Sequence, residues 1–462
     1  MKITSVILVI LNLISVCYGQ NCSYNGVWNG NNCDCDLGWT GSDCSELILL
    51  PANPNNGYRP DNTDAWGASI LKDDVGIYHM WVSVVENNCD IQYWARNSKI
   101  IHAISSSPQG PYTYEGEAFP VMAHEADVRR GPGNNWVAFL TAGVDDNGDL
   151  AYSNYGVPCD CDPLTQEPTA SCTTGASTEA TVICTASSPY GPWSDPIVIL
   201  KPDTLLDGID ANFSAVVHND GNLVGLWRTY PSGSQVHWVT ATNYLDPTTY
   251  TWQDQETSLF PPPYDGYTSE GLEDMFVYYD ENRDVYHAIF HDMVALGGAS
   301  FYDGLGHAYS TDGINWTYTG EAADNTVNFT DETTTTSARA RPHFLIEEGQ
   351  ITHLITAEQF NDNDWSYTLI EPIGNSVGIE IEDNLSRKKS IKVYPNPSTG
   401  KISVTSTNTI NEITVYTLLG EKIKNIDIIN SSVADFEITT KGFFLLEIMS
   451  DNTYNYEKII IE

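Results

Sequence analysis

The chain has 462 residues, in which 61 acidic side chains outnumber 21 basic ones, so its formal net charge at pH 7 is −40. A surface this acidic repels phosphate backbones and anionic lipid, which excludes nucleic acids and membranes as partners. The 26 tyrosines, 12 tryptophans, 35 glycines and 23 prolines stand among short apolar runs. This composition predicts an all-β protein with many short strands and polar turns.

Residues 1–19 have the features of a signal peptide. Lys2 supplies the positive charge, residues 6–16 form an apolar run, and Gly19 is a small residue near the expected cleavage point. The apolar run is too short to span a bilayer, and no other stretch has the length of a transmembrane helix. The sequence therefore predicts an exported protein, secreted or at the cell surface, whose surroundings favour disulfide bonds.

Residues 20–46 contain four closely spaced cysteines, in the order C-SYNGVWNGNN-C-D-C-DLGWTGSD-C. The stretch resembles the second half of an EGF-like module, although Trp28 stands where such modules usually have another cysteine. The resemblance implies two disulfides, Cys22–Cys33 and Cys35–Cys44, and a structural or adhesive role. The pairing of the other cysteines of the mature chain stays open, and their odd number leaves one over; they are Cys89, Cys159, Cys161, Cys172 and Cys184.

Residues 47–378 contain an internal repeat. A strand, an acidic or glycine-containing turn and an aromatic-rich strand recur five times, beginning at Ala68, Ala126, Asn212, Glu273 and Arg341. A second hairpin with its own recurring turn follows each of the first four repeats, as in KIIHAISSSPQGPYTYEG. Four strands per unit, repeated at roughly 60 to 85 residues, predict a five-bladed β-propeller.

Residues 391–462 form a third segment, after a linker predicted at 379–390. The segment opens with IKVYPNPSTGKISV and closes with GFFLLEIMSDNTYNYEKIIIE, and its alternating strands predict a small β-sandwich. It resembles the C-terminal sorting domain of the type IX secretion system. The resemblance implies that this secretion machinery is a partner and that the protein crosses an outer membrane to be released or held at the surface.

The residues that lead each repeat are the candidate site residues, because a propeller's first strands converge at one mouth of its channel. Four of these stretches contain carboxylates and the last contains two arginines; they are 63–67, 124–127, 208–212, 271–274 and 338–342. In so acidic a chain a single aspartate is weak evidence for a catalytic site. Recurrence at one structural position is what indicates a site.

The repeats and their leading motifs resemble the five-bladed glycoside hydrolases of the arabinanase, xylosidase and levanase type, in family 43. The resemblance implies hydrolysis of O-glycosyl bonds by a base, an orienting aspartate and a glutamate acid. On that basis Glu273 is the general acid, Asp210 orients it, and the reaction inverts the sugar. The base is Asp127 or Asp64, because the first repeat has residues 65–67, Ala-Trp-Gly, where the family places its aspartate.

Other side chains near the mouth are predicted to bind the sugar. Trp66 can stack on the apolar face of a sugar ring, and His124 and His291 can hydrogen-bond to it. The rest of the predicted substrate-binding set is Asn212, Asp274, Arg339 and Arg341. The reading requires no cofactor and no metal, and a structural calcium ion in the channel is compatible with it.

Two alternatives to a hydrolase of plant or algal cell-wall polysaccharide stay open. A polysaccharide lyase acting on a uronate-containing algal glycan needs a proton-transferring group and a cation beside the substrate carboxylate. The chain offers His124 with Arg129, Arg130, Arg228 and Arg341 for those tasks. A non-catalytic carbohydrate-binding propeller would account for the EGF-like module and for the missing aspartate of the first repeat. The substrate's sugar and linkage are not readable from the sequence.

Overall fold

The chain is almost entirely β-structure in the computed structural model, which describes residues 21–143, 158–170, 172, 179–200, 212–229, 235–253, 259–260, 271–293, 304–359, 365–374, 391–395, 398–417, 422–450 and 453–461. The α-helix found in this part of the chain, α1, spans only Trp94–Asn97. None of the described helices has the length and apolar character needed to cross a membrane. The chain divides into two compact units, Met1–Glu380 and Ile381–Glu462. The predicted all-β class is confirmed.

The first cysteine-rich segment is a module of two small hairpins. A 3-10 turn, Cys22–Tyr24, leads into β1 (Gly26–Trp28) paired with β2 (Cys33–Cys35), and β3 (Trp39–Thr40) pairs with β4 (Glu46–Leu47). Disulfides join Cys22 to Cys33 and Cys35 to Cys44, which is the pairing that the EGF-like resemblance implied. Further along the chain, disulfides join Cys89 to Cys161 and Cys159 to Cys172, and Cys184 is a buried free thiol.

Four antiparallel sheets follow, and in each the strands pair in chain order. Sheet 1 comprises β5 (Ala65–Lys72), β6 (Tyr78–Val85), β7 (Ser98–Ser105) and β8 (Thr113–Phe119). Sheet 2 comprises β9 (Ala123–Arg130), β10 (Trp136–Gly143), β11 (Glu179–Ala186) and β12 (Ile197–Leu200). Sheet 3 comprises β13 (Ser214–Val217), β14 (Leu223–Thr229), β15 (Gln235–Ala241) and β16 (Tyr250–Trp252). Sheet 4 comprises β17 (Leu272–Asp280), β18 (Val285–Asp292), β19 (Gly304–Ser310) and β20 (Thr317–Ala323). Short 3-10 turns lie between these strands at Ile91–Tyr93, Pro132–Asn134 and Pro247–Thr249.

Sheet 5 is completed by a segment from the start of the chain. It comprises β23 (Ala340–Glu347), β24 (Gln350–Glu358) and β25 (Tyr367–Pro372), after a hairpin of β21 (Thr326–Asn328) and β22 (Thr334–Thr336). Outside β25, Leu50 N donates to Pro372 O at 2.9 Å and Gly374 N donates to Ile48 O at 2.7 Å. Residues 48–50, which follow the cysteine-rich module, therefore act as the fourth strand of this sheet.

The first strands of the five sheets form a closed ring within the described part of the chain. Each of β5, β9, β13 and β17 contacts the first strand of the next sheet, and β23 contacts β5. This is the arrangement of a β-propeller. Every residue of β6 is buried while β8 is largely exposed, as expected for strands near the centre and at the rim. The large side chains that fill the interior include Trp81, Trp136 and Trp227.

Two pairs of histidines lie in the interior of sheets 1 and 4. The rings of His79 and His102 stack with their centroids 5.1 Å apart, and those of His287 and His307 lie 5.4 Å apart. Burial lowers the pKa of His102 to about 4 and the pKa of His287 to about 3. Burial also lowers the pKa of the other member of each pair. Both pairs are therefore neutral at pH 7.

The cysteine-rich module packs against sheets 4 and 5. Trp39 meets Phe344 edge-on and lies 4.8 Å from the ring of His307. Arg283, in the turn between β17 and β18, pairs with Asp36 of the module at 2.7 Å. Because that turn is at the far end of β17 from Leu272, the module lies away from the end at which the first strands begin.

The second unit is also made of strands. β26 (Ile391–Tyr394), β27 (Lys401–Thr417), β29 (Gly442–Ser450) and β30 (Thr453–Ile461) pair in that order, and β28 (Lys422–Glu437) pairs with β27. Its buried core contains alternating side chains of β27 and β29, among them Ile413, Val415, Leu446 and Ile448. This alternation is what the sequence of the segment predicted.

Candidate active site

A β-bulge interrupts four of the five first strands at the same place, near the end where each strand begins. Each bulge holds one residue in the left-handed region, with φ of 57° at Gly67, 54° at Glu125, 54° at Asp274 and 48° at Arg341. For a side chain other than glycine this backbone costs of order 1–3 kcal/mol, and such strain is concentrated at functional sites. Asn212, two residues before β13, meets Glu125 and Asp274 from sheet 3. We call these five residues the mouth ring.

Asn212 links the carboxylates of the mouth ring. Its Nδ2 donates to Glu125 Oε2 at 2.8 Å and to Asp274 Oδ1 at 2.7 Å. Its Oδ1 accepts from Arg228 Nη1 at 2.9 Å. Asn212 is only 4% exposed, so these bonds are shielded from water. Carboxylates from sheets 2 and 4 therefore meet at a single amide of sheet 3.

Arg341 joins the ring from sheet 5. Its backbone N donates to Asp274 Oδ2 at 2.9 Å, its Nη2 donates to the backbone O of Glu125 at 2.8 Å, and its Nη1 lies 3.4 Å from Glu125 Oε2. A Cβ at Gly67 would lie 2.2 Å from Arg341 Cγ. The absence of a side chain at Gly67 therefore makes room for the arginine. Sheet 1 contributes no carboxylate to the mouth ring.

Glu273 and Asp274 are neighbours in sequence with opposite electrostatic environments. Burial alone would raise the pKa of Glu273, but Arg228 at 2.6 Å and His291 at 3.2 Å outweigh it and lower the pKa to about 2. Burial raises the pKa of Asp274 to about 6, and the negative charge of Glu273 adds to this effect. Near pH 6 Glu273 is ionised while a large part of Asp274 carries a proton.

Trp66, His124 and Glu273 each stand directly before a residue of the mouth ring in sequence. Trp66 is half-buried in β5. His124 is buried, and burial, with the positive charge of Arg341, lowers its pKa to about 3, so its imidazole is neutral. Trp66, His124 and Glu273 thus stand at matching positions on the first strands of three sheets.

Asp127, one of the two predicted bases, is buried and bound by neighbouring side chains. It pairs with Arg129 at 2.7 Å, accepts a hydrogen bond from Ser214 Oγ at 2.7 Å and lies 3.5 Å from His343 Nε2. Burial would raise the pKa of Asp127, but Arg129 and His343 hold it well below its usual range. It is 2% exposed and borders a void of only about 10 Å³. Asp127 therefore joins sheet 2 to sheets 3 and 5.

Two other predicted site residues are also structural. Asp64 is fully buried, and its Oδ1 accepts from the Oγ of Ser366 at 2.7 Å, so it fastens sheet 1 to sheet 5. Burial raises its pKa to about 6. Arg339 is 1% exposed and pairs with Glu371 inside sheet 5, away from the ring. Asp210, predicted to orient the acid, lies outside the described residues.

Three neighbouring side chains at the mouth have the chemistry of metal ligands. Glu273, Asp274 and His291 each place one ligand atom within 4.8 Å of the others. Arg228 forms an ion pair with Glu273, and Asn212 and Arg341 donate hydrogen bonds to Asp274. These atoms suit an internal network of hydrogen bonds and ion pairs better than a cation, and we assign no step to a metal.

Glu125 and Arg228 contact this network, but the predicted catalytic set did not contain them. Glu125 stands between His124 and Asp127 in the second leading motif, where the alternation of a regular strand gave no reason to choose it over Asp127. The signal that separates the two is Arg129, which shares a strand face with Asp127 at a spacing of two residues. Such a pair predicts an ion pair along the strand and leaves Glu125 as the carboxylate at the mouth.

Residues 392–462 match the family model described as the secretion system C-terminal sorting domain. This match agrees with the segment that resembled a type IX sorting domain and indicates export to the surface or the medium. No curated protein matches the chain by sequence.

Solved structures with a similar backbone include three carbohydrate-active enzymes. An endo-arabinase from Bacteroides thetaiotaomicron has 13% identity and a TM-score of 0.42, and the match covers 72% of this chain and 99% of that one. An α-L-arabinofuranosidase from Lactobacillus brevis has 12% identity and a TM-score of 0.42, covering 70% and 92%. An α-L-arabinanase from Cellvibrio cellulosa, complexed with arabinohexaose, has 11% identity and a TM-score of 0.41, covering 67% and 91%.

Proposed function

We propose that the protein is an exported glycoside hydrolase whose reaction takes place at the mouth ring. Asp274 is the general acid, Glu125 is the ionised carboxylate on the opposite side, and Glu273 raises the pKa of the acid. The observation that carries this proposal is the single Nδ2 of Asn212, which hydrogen-bonds to both Glu125 and Asp274. Hydrolysis of a glycosidic bond needs two carboxylates at such close range, one protonated and one ionised.

The electrostatics of the mouth support this division of roles. A group that donates a proton near neutral pH needs a raised pKa, and Asp274 has one of about 6. Glu273 was expected to be the acid, but Arg228 and His291 lower its pKa, so we assign the donated proton to Asp274 instead. Arg341 and Asn212 both contact Glu125, which favours its charged form.

The spacing of the two carboxylates favours retention of configuration over the inversion expected from the resemblance. Their nearest oxygens lie 2.8 and 2.7 Å from one nitrogen, so they are separated by less than the sum of those distances. Inverting enzymes hold their carboxyl groups roughly 6.5–9.5 Å apart, to leave space for a water molecule. Glu125 would then be the nucleophile that forms a covalent glycosyl intermediate.

The charges at the mouth favour a neutral glycan, such as a plant or algal wall polysaccharide without uronate. A lyase needs a cation that neutralises the substrate's carboxylate, whereas Arg228 is paired with Glu273 and Arg341 with Glu125. Arg129 and Arg130, the other arginines considered for that role, lie at the end of β9 farther from the mouth ring. Trp66, half-buried beside Gly67, is the proposed surface on which a sugar ring stacks.

The test is a screen of the purified protein on arabinan, xylan, galactan and sulfated algal glycans, measured by the release of reducing ends. Asp274→Asn and Glu125→Gln should each lower kcat by about 100- to 10,000-fold, the usual contribution of an acid or base. Glu281→Gln, in the exposed turn at the far end of β17, is the matched control and should leave kcat unchanged. A product with new ultraviolet absorbance would identify a lyase instead, and binding without new reducing ends would identify a carbohydrate-binding protein.

A further inference from the structure

Two connections on the mouth side of sheets 1 and 2 are tied together covalently. The segment 86–97 joins β6 to β7, and residues 158–172 belong to the connection from β10 to β11. Because β5 and β9 begin at the mouth, β6 and β10 end there, and both connections start from that end. The disulfide Cys89–Cys161 links the two, and Cys159–Cys172 closes the second on itself. We call residues 86–97, 158–170 and 172 together the clamp.

The clamp has its own small core and its own hydrogen bonds. Val85, Tyr93 and the buried cysteines of the clamp pack into one cluster. Asn97, which is fully buried, donates to Cys159 O at 2.8 Å and accepts from Cys159 N at 3.1 Å. These contacts fix the position of α1 and of the first residue of β7, Ser98.

Trp94 of the clamp and Ser98, the residue that follows its first segment, contact His124 on two sides. The indole of Trp94, in α1, stacks on the imidazole with centroids 4.7 Å apart and planes 23° apart. Ser98 Oγ lies 2.7 Å from His124 Nδ1. The other ring nitrogen, Nε2, lies 3.6 Å from Glu125 Oε1. When Nδ1 accepts the hydroxyl proton of Ser98, the ring hydrogen is on Nε2 and faces the carboxylate.

We propose that the clamp is a positioning device of the site, in which Trp94 holds the imidazole of His124 in the orientation that directs Nε2 at Glu125. The proposal rests on the function proposed above for Glu125. Trp94 is then a positioning residue that acts through His124, because a carboxylate whose partner is fixed needs no reorganisation during the reaction. The other groups that act on the imidazole are Glu125 on its own strand and Arg341 from sheet 5.

The first experiment reads the imidazole directly and does not depend on activity. Protein labelled with nitrogen-15 in its histidines is studied by two-dimensional NMR between about pH 5 and 8, where a free imidazole titrates. Loss of one signal in His124→Asn assigns the ring. In the wild type and in Trp94→Phe we expect His124 to remain a single neutral tautomer. In Trp94→Ala we expect averaged tautomers or a titration near the ordinary histidine value. Unchanged His124 signals in Trp94→Ala would overturn the proposal.

The second experiment separates positioning from sugar binding. With an active substrate from the screen, Trp94→Ala should lower kcat by about tenfold or more with KM within about twofold, as expected for a misplaced catalytic group. Trp94→Phe should restore most of kcat. A raised KM with kcat unchanged would show instead that Trp94 binds sugar, and would overturn the positioning role.

The controls cover folding and the loss of a tryptophan as such. Trp316→Ala removes another half-buried tryptophan, after β19 at the far end of sheet 4, and should change neither the NMR signals of His124 nor kcat. If Trp94→Ala does not fold, Trp94→Leu keeps an apolar side chain without the flat ring and takes its place. Absence of hydrolysis in the wild type as well as in every variant, with the NMR change present, would refute the proposed function and leave the clamp's action on His124 standing.

Discussion

Replacing Glu273 with glutamine removes the negative charge beside Asp274 while keeping the size of the side chain. In the wild type this charge disfavours ionisation of Asp274 and so contributes to its pKa of about 6. Without it the pKa of Asp274 should fall. A general acid must be protonated to act, so activity should be lost at a lower pH than in the wild type. The high-pH limb of the kcat profile is therefore expected to move downward.

The size of the shift follows from the distance between the two groups. Oxygens of Glu273 and Asp274 lie within 4.8 Å of each other. Two unit charges at that distance interact by about 3.5 kcal/mol at an effective dielectric constant near 20, or about 2.5 pKa units at 1.36 kcal/mol each. Burial is the larger cause of the raised pKa and stays in place, while Arg341 opposes it. We therefore expect a shift of about one to two pH units.

The assay is the pH dependence of kcat for the wild type, Glu273→Gln and the control Glu281→Gln, on the best substrate of the screen. Thermal melting of each variant checks that the compared proteins are folded across the range. A high-pH limb that stays in place or moves upward in Glu273→Gln would refute the assignment of Asp274 as an acid tuned by Glu273.

Three further predictions concern stability and the layout of the molecule. Gly67→Ala should lower the free energy of unfolding by about 1–3 kcal/mol and remove most of the activity, because φ is +57° and the new Cβ would lie 2.2 Å from Arg341 Cγ. Gly76→Ala, where the space is open, is the control and should keep kcat. A fully active Gly67→Ala would contradict the predicted clash with Arg341. Trp39→Ala should lower the free energy of unfolding by about 3–5 kcal/mol, while the folded fraction keeps its kcat. A lower kcat in the folded fraction would contradict the placement of the cysteine-rich module away from the mouth ring. Burial lowers the pKa of the histidine pair of sheet 4, so below about pH 6.5 the unfolded chain takes up protons that the folded one does not, and stability is lost as the pH falls. The decrease of Tm between about pH 7 and 5 should therefore be smaller when both histidines of that pair are glutamine, and an equal decrease would contradict the assignment.

The architecture was predictable because its signals are local. Each repeat carries the period-two alternation, the turn residues and the aromatic-rich second strand of an antiparallel hairpin, and repetition of one unit implies a repeated sheet. The cysteine spacing of the first module and the opening YPNP of the last segment are local as well. Such features need no knowledge of which strands meet in space.

The site was less predictable because β-bulges set which side chains reach the mouth. A regular strand alternates its faces, so the sequence of the second leading motif does not indicate that the backbone of Glu125 is in the left-handed region. The bulge turns Glu125 toward Asn212 and leaves Asp127 to pair inside the channel. Contacts between residues far apart in sequence matter equally. The hydrogen bond that Asp64 accepts from Ser366 engages its carboxylate between sheets 1 and 5, and no local sequence pattern predicts this contact.

The closure of sheet 5 has a consequence for the order in which the chain folds. Leu49 pairs with Ile373, so residues 48–50 have no partner strand until almost the entire first unit has been synthesised. Contacts this distant in sequence form slowly, because the long intervening loop loses entropy before the pairing rewards it. Until then residues 48–50 are an unpaired strand that can pair with another chain. Sheet 5 is therefore completed late, once both ends of the propeller are present.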